Sequence, residues 1–152
     1  MPLNKGFGFA IYALFLLLLI SCAPRPDMPP DIVLSESWVR LPPGGRDITG
    51  GYLRITNAGG DDVLLSASSP VAEKIEIHQN FETDGLMQMR QMQSVKIAAN
   101  SEITFAPGGY HLMIFAVQEI KLGQSVQLVL QFENSGAKSV QAVVATTAPD
   151  GM

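Results

Sequence analysis

The residues of this chain that could do chemistry are two histidines and a group of methionines. His78 and His111 are the only histidines, and His111 stands two positions before Met113 in the apolar segment 110–117. Side chains two positions apart on a β-strand point to the same face of the sheet, so His111 and Met113 are expected to lie side by side. Four of the six methionines that follow Cys22 lie between the histidines or within two residues of them. This clustering raises the possibility of a metal site built from imidazole and thioether groups.

A set of imidazoles and thioethers favours copper, and Cu(I) over Cu(II). Thioethers are soft ligands that select Cu(I), whereas zinc sites use Cys, His and carboxylates, and calcium and magnesium take oxygen. The ordinary alternative is that each methionine fills a gap in the hydrophobic core and each histidine is a satisfied strand residue. A blue-copper electron carrier would need a Cys thiolate. The only cysteine, Cys22, lies in the N-terminal segment, so that class is excluded.

The spacing of these residues distinguishes the alternatives. Ten residues separate His78 from Met89, 21 separate Met89 from His111, and one separates His111 from Met113. This H-x10-M-x21-HxM arrangement is identified as the signature of the periplasmic Cu(I) chaperone family called PCuAC, and the surrounding sequence resembles that family over roughly residues 37–144. The resemblance implies that His78, Met89, His111 and Met113 bind one Cu(I).

Two further methionines flank Met89 on the same predicted strand. Alternation places Met87 on the same face as Met89, so Met87 could lie near the site. Met92 falls on the opposite face and is expected to pack.

The resemblance also implies a fold and a function. The fold would be all-β, a cupredoxin-like antiparallel Greek-key β-sandwich or barrel. The function would be to bind one Cu(I) and deliver it to a copper enzyme, such as a cytochrome c oxidase subunit, or to another copper chaperone. The alternative is copper sequestration or detoxification, which the same ligands would serve equally well.

The residue pattern independently favours an all-β domain. Short segments with period-two alternation are separated by Gly, Pro, Asn or Asp, which is typical of an antiparallel sandwich or barrel. The dipeptide Asp84–Gly85 suits a hairpin turn, and residues 106–109 form a second loop signal. The predicted strands cover residues 32–40, 51–57, 63–68, 74–79, 86–92, 94–98, 102–105, 110–117, 125–132 and 138–147.

The N-terminus carries an export signal. An apolar run at residues 7–20 follows Lys5 and ends in Leu-Ile-Ser-Cys, which resembles a bacterial lipobox. Residues 1–21 are therefore predicted to be a lipoprotein signal peptide, with Cys22 lipidated. Residues 22–31 are Pro-rich and are predicted to form an extended tether. Residues 32–147 would be the copper-binding domain. The alternative for the N-terminus is an uncleaved transmembrane anchor.

These features predict a periplasmic lipoprotein held to a membrane by its lipid. Ala23 follows Cys22 where an Asp would stand in retained lipoproteins, which favours the outer membrane. The net charge of −4 and the lack of a basic run argue against a nucleic-acid partner. The carboxylates are scattered, and no nucleophile motif or phosphate loop is present, so we expect no enzyme. The remaining alternative is a structural lipoprotein without chemistry.

Overall fold

The structure is a computed structural model that describes residues 28–149. The predicted signal peptide, Cys22 and the first part of the predicted tether lie outside the described residues. The described part has ten strands and one 3₁₀ turn at Pro43–Gly45. No helix within residues 28–149 has the length and apolarity needed to cross a membrane. The strands are β1 Ile32–Arg40, β2 Thr49–Asn57, β3 Asp62–Ser68, β4 Lys74–Thr83, β5 Leu86–Met92, β6 Val95–Ile97, β7 Ser101–Phe105, β8 Tyr110–Phe115, β9 Ser125–Phe132 and β10 Gly136–Ala145.

The predicted all-β architecture is confirmed, and each predicted strand corresponds to one observed strand. Strand β9 shows the physical reason, because every second residue from Val126 to Phe132 is buried and most of those between are exposed. The predicted hairpin at Asp84–Gly85 also forms. Both residues have positive φ, at 53° and 76°, as a two-residue turn of the primed type requires. This hairpin joins β4 to β5.

The strands form one mixed sheet in the order β5-β4-β8-β7-β2-β1-β10-β9-β3-β6, with an additional β8–β2 pairing. Most neighbours are antiparallel, as predicted, but β1–β10 and β7–β8 are parallel. The parallel β1–β10 pair joins the two ends of the domain, where no short turn fixes the relative direction of the strands. Strands β5 and β6 form the two ends of the sheet order, so β5 has β4 as its only sheet neighbour.

One continuous hydrophobic core fills the inside of the folded sheet. Strands β4 and β8 contribute Ile77, Leu112 and Ile114 to it, and all three are almost fully buried. Because side chains alternate along a strand, the residues between these three point to the opposite face of the same two strands. The largest fully buried core side chains are Phe105, Phe132, Leu53, Ile55, Leu64, Ile97, Leu112, Ile114, Leu128 and Leu130.

The last residues of the predicted tether lie against the turn between β2 and β3. The Gly60 N–H donates to the Pro29 carbonyl over 3.2 Å, and the Ala58 N–H donates to the Asp31 carbonyl over 3.0 Å. A Cβ atom at Gly59 would overlap with the Pro29 carbonyl oxygen, so only glycine allows this close approach. Residues 29–31 therefore lie against the domain and are hydrogen-bonded to it.

Candidate metal centre

The four residues implied as ligands lie on one face of three adjacent strands, β5, β4 and β8. His78 of β4 is directly opposite His111 of β8 in the antiparallel register, and their ring centroids are 5.7 Å apart. Met89 of β5 is opposite Asn80, two positions along β4 from His78. Met113 is two positions along β8 from His111. Paired residues share a face, so all four side chains leave the sheet on the side opposite the core.

His111 is the most enclosed of these residues, with 7% of its surface exposed. Its Nδ1 lies 3.1 Å from the carbonyl oxygen of Gly109. A carbonyl only accepts hydrogen bonds, so Nδ1 carries the proton and donates it. In the neutral ring the lone pair is then on Nε2, which lies 3.2 Å from the sulfur of Met89. Two electron-pair donors thus face each other across the space where a soft cation would bind.

His78 has the complementary arrangement. Its Nε2 lies 2.8 Å from Oε2 of Glu76, while its Nδ1 is buried and has no hydrogen-bond partner. A buried nitrogen without a partner is costly unless something binds there. Glu76 was not singled out from the sequence. The signal that would have found it is its position two residues before His78 on the same strand face.

Burial is the main factor that favours neutral imidazole at His111. Burial lowers the pKa of His111 by disfavouring the charged ring, the hydrogen bond to Gly109 opposes this, and the charge of His78 lowers it further. The pKa of Glu76 is also lowered, mainly by its hydrogen bond from Lys74 and then by that from His78. Neutral imidazole is the form that binds metals, so the lowered pKa of His111 favours the form that can bind.

An aromatic wall flanks the Met113 side of the site. Met113 pairs with Gly50 of β2, and a Cβ atom at Gly50 would stand 2.5 Å from the hydroxyl of Tyr52. The Tyr52 ring therefore lies over Gly50, and it stacks on Trp38 with ring centroids 4.5 Å apart. Both aromatic side chains are buried but lie outside the main core cluster. They form a small second cluster, with Arg40 over both rings, that closes this side of the face.

The two further methionines of β5 separate as alternation predicted. Met87 lies on the same face as Met89 and is 63% exposed, while Met89 itself is 53% exposed. Met92 packs against the core from the opposite face. The structure therefore brings Met89 to His111 and leaves Met87 farther out along the hairpin.

The chemistry of this donor set fits a soft monovalent cation. Two imidazole nitrogens have free lone pairs, and the thioethers of Met89 and Met113 lie on the same face. Metal bonds of about 2.0 Å to nitrogen and about 2.3 Å to sulfur, the lengths known for zinc, would let Nε2 of His111 and the Met89 sulfur reach one ion. Within residues 28–149, no cluster of three or more His, Cys, Asp or Glu residues is placed to hold a metal. Thioethers with imidazole are the set that selects Cu(I).

Comparison with known families places residues 32–144 within a model described as "Putative lipoprotein LpqE-like". A protein from Leifsonia xyli subsp. xyli, described as "Putative lipoprotein Lxx21020", is 27% identical over 116 residues, which cover 74% of this chain and 69% of that protein.

Solved structures with the same fold include several PCuAC domains. The copper-bound PCuAC domain from PmoF2 superimposes with a TM-score of 0.64 at 22% identity, covering 78% of this chain and 93% of that domain. The solution structure of CuI-DR1885 from Deinococcus radiodurans gives a TM-score of 0.58 at 22% identity, covering 75% of this chain and 77% of that protein. The expected cupredoxin-like fold of PCuAC domains is thereby confirmed.

Proposed function

The chain belongs to the LpqE-like lipoprotein family, and from this membership, its fold and its site we propose that it is an exported copper chaperone. It binds one Cu(I) through His78, Met89, His111 and Met113 and delivers it to another copper protein. The observation that carries this proposal is the pair of facing donors, Nε2 of His111 and the sulfur of Met89, 3.2 Å apart. Because the His111 proton is on Nδ1, Nε2 of His111 and the Met89 sulfur both present lone pairs to each other. A cation bound between them would remove this repulsion.

The ligand set suits a carrier of exchangeable copper. Imidazoles and thioethers are neutral ligands, so the complex keeps the single positive charge of Cu(I). Met89 is half exposed on the edge strand β5, where a ligand from another protein has access to the ion. The acceptor is a protein that takes Cu(I) outside the cytoplasm, such as a subunit of cytochrome c oxidase or another copper chaperone. The copper-bound PmoF2 domain and CuI-DR1885 support copper as the cargo.

The proposed location follows from the sequence and the family. Cleavage before Cys22 and lipidation of its thiol would hold the domain at a membrane, with the outer membrane favoured by Ala23. The family and the Leifsonia relative are described as lipoproteins, which supports export and anchoring.

The test of the proposal is an anaerobic Cu(I) titration of residues 22–152 with a colorimetric chelator as competitor. One equivalent should bind tightly enough to remove copper from the chelator. The loaded protein should then pass its copper to an apo copper acceptor, in a mixture where both are separated and analysed for metal. No competition with the chelator would reject copper binding. Tight binding without transfer, together with poor growth of a deletion strain only in copper excess, would assign sequestration instead of delivery.

Acid should weaken Cu(I) binding because protons compete for the imidazole lone pairs. The lowered pKa of His111 moves its part of the loss to more acidic pH than for an ordinary histidine. An imidazole with the ordinary pKa of 6.5 would lose roughly 30-fold in apparent affinity between pH 7.5 and 5, so the loss due to His111 should be smaller than this. The chelator competition repeated from pH 7.5 to 5 measures the profile.

A matched variant, Met113→Ala, separates the contribution of the histidines to the pH dependence from that of the methionines. Met113→Ala removes a thioether, which does not titrate, and keeps both imidazoles. Its affinity should be lower than that of the wild type at every pH, and it should fall with acid by the same factor. A wild-type affinity that stays constant down to pH 5 would contradict binding through histidine.

A further inference from the structure

We infer that Glu76 is a positioning residue that holds His78 in one tautomer and thereby decides which of its nitrogens binds copper. In this arrangement His78 binds through Nδ1 and His111 through Nε2. The inference rests on the proposed function of the site and deepens it, because it assigns the binding atoms and adds a residue outside the H-x10-M-x21-HxM spacing.

The hydrogen bonds of the two rings give opposite assignments. Glu76 is a carboxylate paired with the Lys74 ammonium at Oε1, so its Oε2 has no proton to donate and accepts a hydrogen bond from Nε2 of His78. Nε2 of His78 therefore carries the proton, and the lone pair of the neutral ring is on Nδ1. In His111 the Gly109 carbonyl holds the proton on Nδ1 and leaves the lone pair on Nε2. The two lone pairs are thus on different ring positions.

The unpaired atoms agree with this assignment. Nδ1 of His78 is the one fully buried side-chain nitrogen or oxygen without a hydrogen-bond partner among the described residues. Nε2 of His111 has only the Met89 sulfur within hydrogen-bond distance. Both free lone pairs belong to rings that face each other across the β4–β8 pair. These two nitrogens, Nδ1 of His78 and Nε2 of His111, are the atoms to which a metal ion would bind.

Glu76 is itself fixed from the other side. Nζ of Lys74 lies 2.5 Å from Oε1 of Glu76, and the Glu76 side chain is only 13% exposed. Lys74, Glu76 and His78 stand two positions apart along β4, so all three side chains lie on the face of the site. The Lys74 ammonium occupies Oε1 and leaves Oε2 for His78. A carboxylate held in this way orients a metal-binding imidazole and increases the electron density at its other nitrogen.

The first arm of the test uses the protein without copper. Long-range ¹H–¹⁵N correlation spectra at pH 7.5 distinguish the two neutral tautomers of each histidine. The wild type should show His78 protonated at Nε2 and His111 protonated at Nδ1. In Glu76→Gln the side-chain amide can either donate or accept, so His78 should become a mixture of tautomers while His111 stays unchanged. A wild-type His78 protonated at Nδ1, or no change in Glu76→Gln, would overturn the inference.

The second arm measures Cu(I) affinity by chelator competition. Glu76→Gln should bind about 10- to 100-fold more weakly than the wild type, the range expected for loss of a partner that orients a ligand. The control is Glu82→Gln, which removes the same charge from the same face of β4 but has no contact with His78. It should change the affinity less than about 2-fold, because Glu82 is exposed and four residues from His78 along the strand, about 13 Å, where solvent ions screen its charge. Equal affinity of Glu76→Gln and wild type would overturn the inference.

The two arms separate this inference from the proposed function. If the wild type binds no Cu(I), the proposed function fails, and the spectra of the copper-free protein still decide whether Glu76 sets the tautomer of His78. If the wild type binds Cu(I) and Glu76→Gln binds equally well with an unchanged spectrum, the proposed function stands and the role of Glu76 is rejected.

Discussion

Replacing His111 by alanine is expected to weaken Cu(I) binding by roughly 100-fold or more while the domain remains folded. A four-ligand metal site contributes about 10–16 kcal/mol of binding free energy in small zinc domains, so one ligand represents about 3 kcal/mol. Every 1.4 kcal/mol is a factor of about ten in affinity. His111 is the most enclosed of the four proposed ligands, and its loss also leaves the Met89 sulfur without its neighbour. The measurement is the anaerobic chelator competition.

The matched control for this loss is Met87→Ala. Met87 is a thioether on the same face of the same hairpin, but it is 63% exposed and lies farther out than Met89. Its removal should change the affinity by less than about 3-fold, since a side chain that does not bind the ion contributes only to the surroundings. Thermal unfolding of the copper-free proteins should show His111→Ala close to the wild type, because His111 points away from the core cluster. A Met87→Ala variant as weak as His111→Ala would mean that the ligand set is different.

Replacing Asp62 by alanine is expected to produce a large loss of stability away from the site. Asp62 is 1% exposed, and its carboxylate accepts hydrogen bonds from the N–H groups of Val63, Asn134 and Ser135 and from the Ser135 hydroxyl. These bonds attach the start of β3 to the turn between β9 and β10. One hydrogen bond to a charged acceptor contributes roughly 1.5–3 kcal/mol. The four donors are only part-buried, so water replaces some of the lost bonds, and the total loss should be about 3–5 kcal/mol. Thermal unfolding should show a midpoint lower by roughly 10–20 °C.

The pH dependence of the unfolding free energy tests whether the charge of Asp62 causes the loss of stability in Asp62→Ala. Burial acts to raise the pKa of Asp62, but the hydrogen bonds from Ser135, Asn134 and Val63 outweigh it, and the pKa lies below the usual value of 3.8. A carboxyl group with a lowered pKa stabilises the folded state fully above its unfolded pKa, and this contribution is lost as the pH falls through the folded pKa. The difference in unfolding free energy between wild type and Asp62→Ala should therefore be largest above about pH 4 and shrink below it.

A smaller substitution at the same turn provides the comparison. Ser135→Ala removes one hydroxyl donor and keeps the three backbone N–H donors to Asp62. It should cost about 1.5 kcal/mol, the lower end of the range for one hydrogen bond to a charged acceptor. An Asp62→Ala protein no less stable than Ser135→Ala would contradict the role given to the carboxylate.

The sequence predicts the strands well because burial on one face produces alternation. The prediction of strand ends from the sequence is wrong where backbone hydrogen bonding continues beyond the buried residues. The alternating pattern of β4 ends near Gln79, but the strand continues to Thr83 because the hairpin with β5 supplies backbone partners. The parallel pairing of β1 with β10 is likewise invisible in the sequence, since no turn connects these strands and they meet only in the complete fold.

For the site, spacing predicts a shared face but not the contacts on it. The interval between His111 and Met113 places both on one side of β8, and the structure agrees. That Met89 contacts His111 depends on the register of two neighbouring strand pairs, β5–β4 and β4–β8, which the residue pattern does not specify. Glu76 was missed because its importance lies in one hydrogen bond to His78, and sequence shows no more than their shared face. The assignment of the four residues as ligands stays a prediction that the titrations test.

The position of β5 at the end of the sheet would allow the proposed site to release copper without unfolding of the domain. His78 and His111 lie on strands whose other face is locked into the core, whereas Met89 lies on a strand with one neighbour and almost no buried residues. Segments with few buried contacts open locally at a small fraction of the global unfolding free energy. Strand β5 is therefore expected to detach from β4 at a smaller free-energy cost than unfolding of the domain, with both imidazoles left in place on β4 and β8. If the proposed ligands hold copper, substitutions in β5 are expected to change how long the ion stays bound while leaving the thermal stability of the domain nearly unchanged.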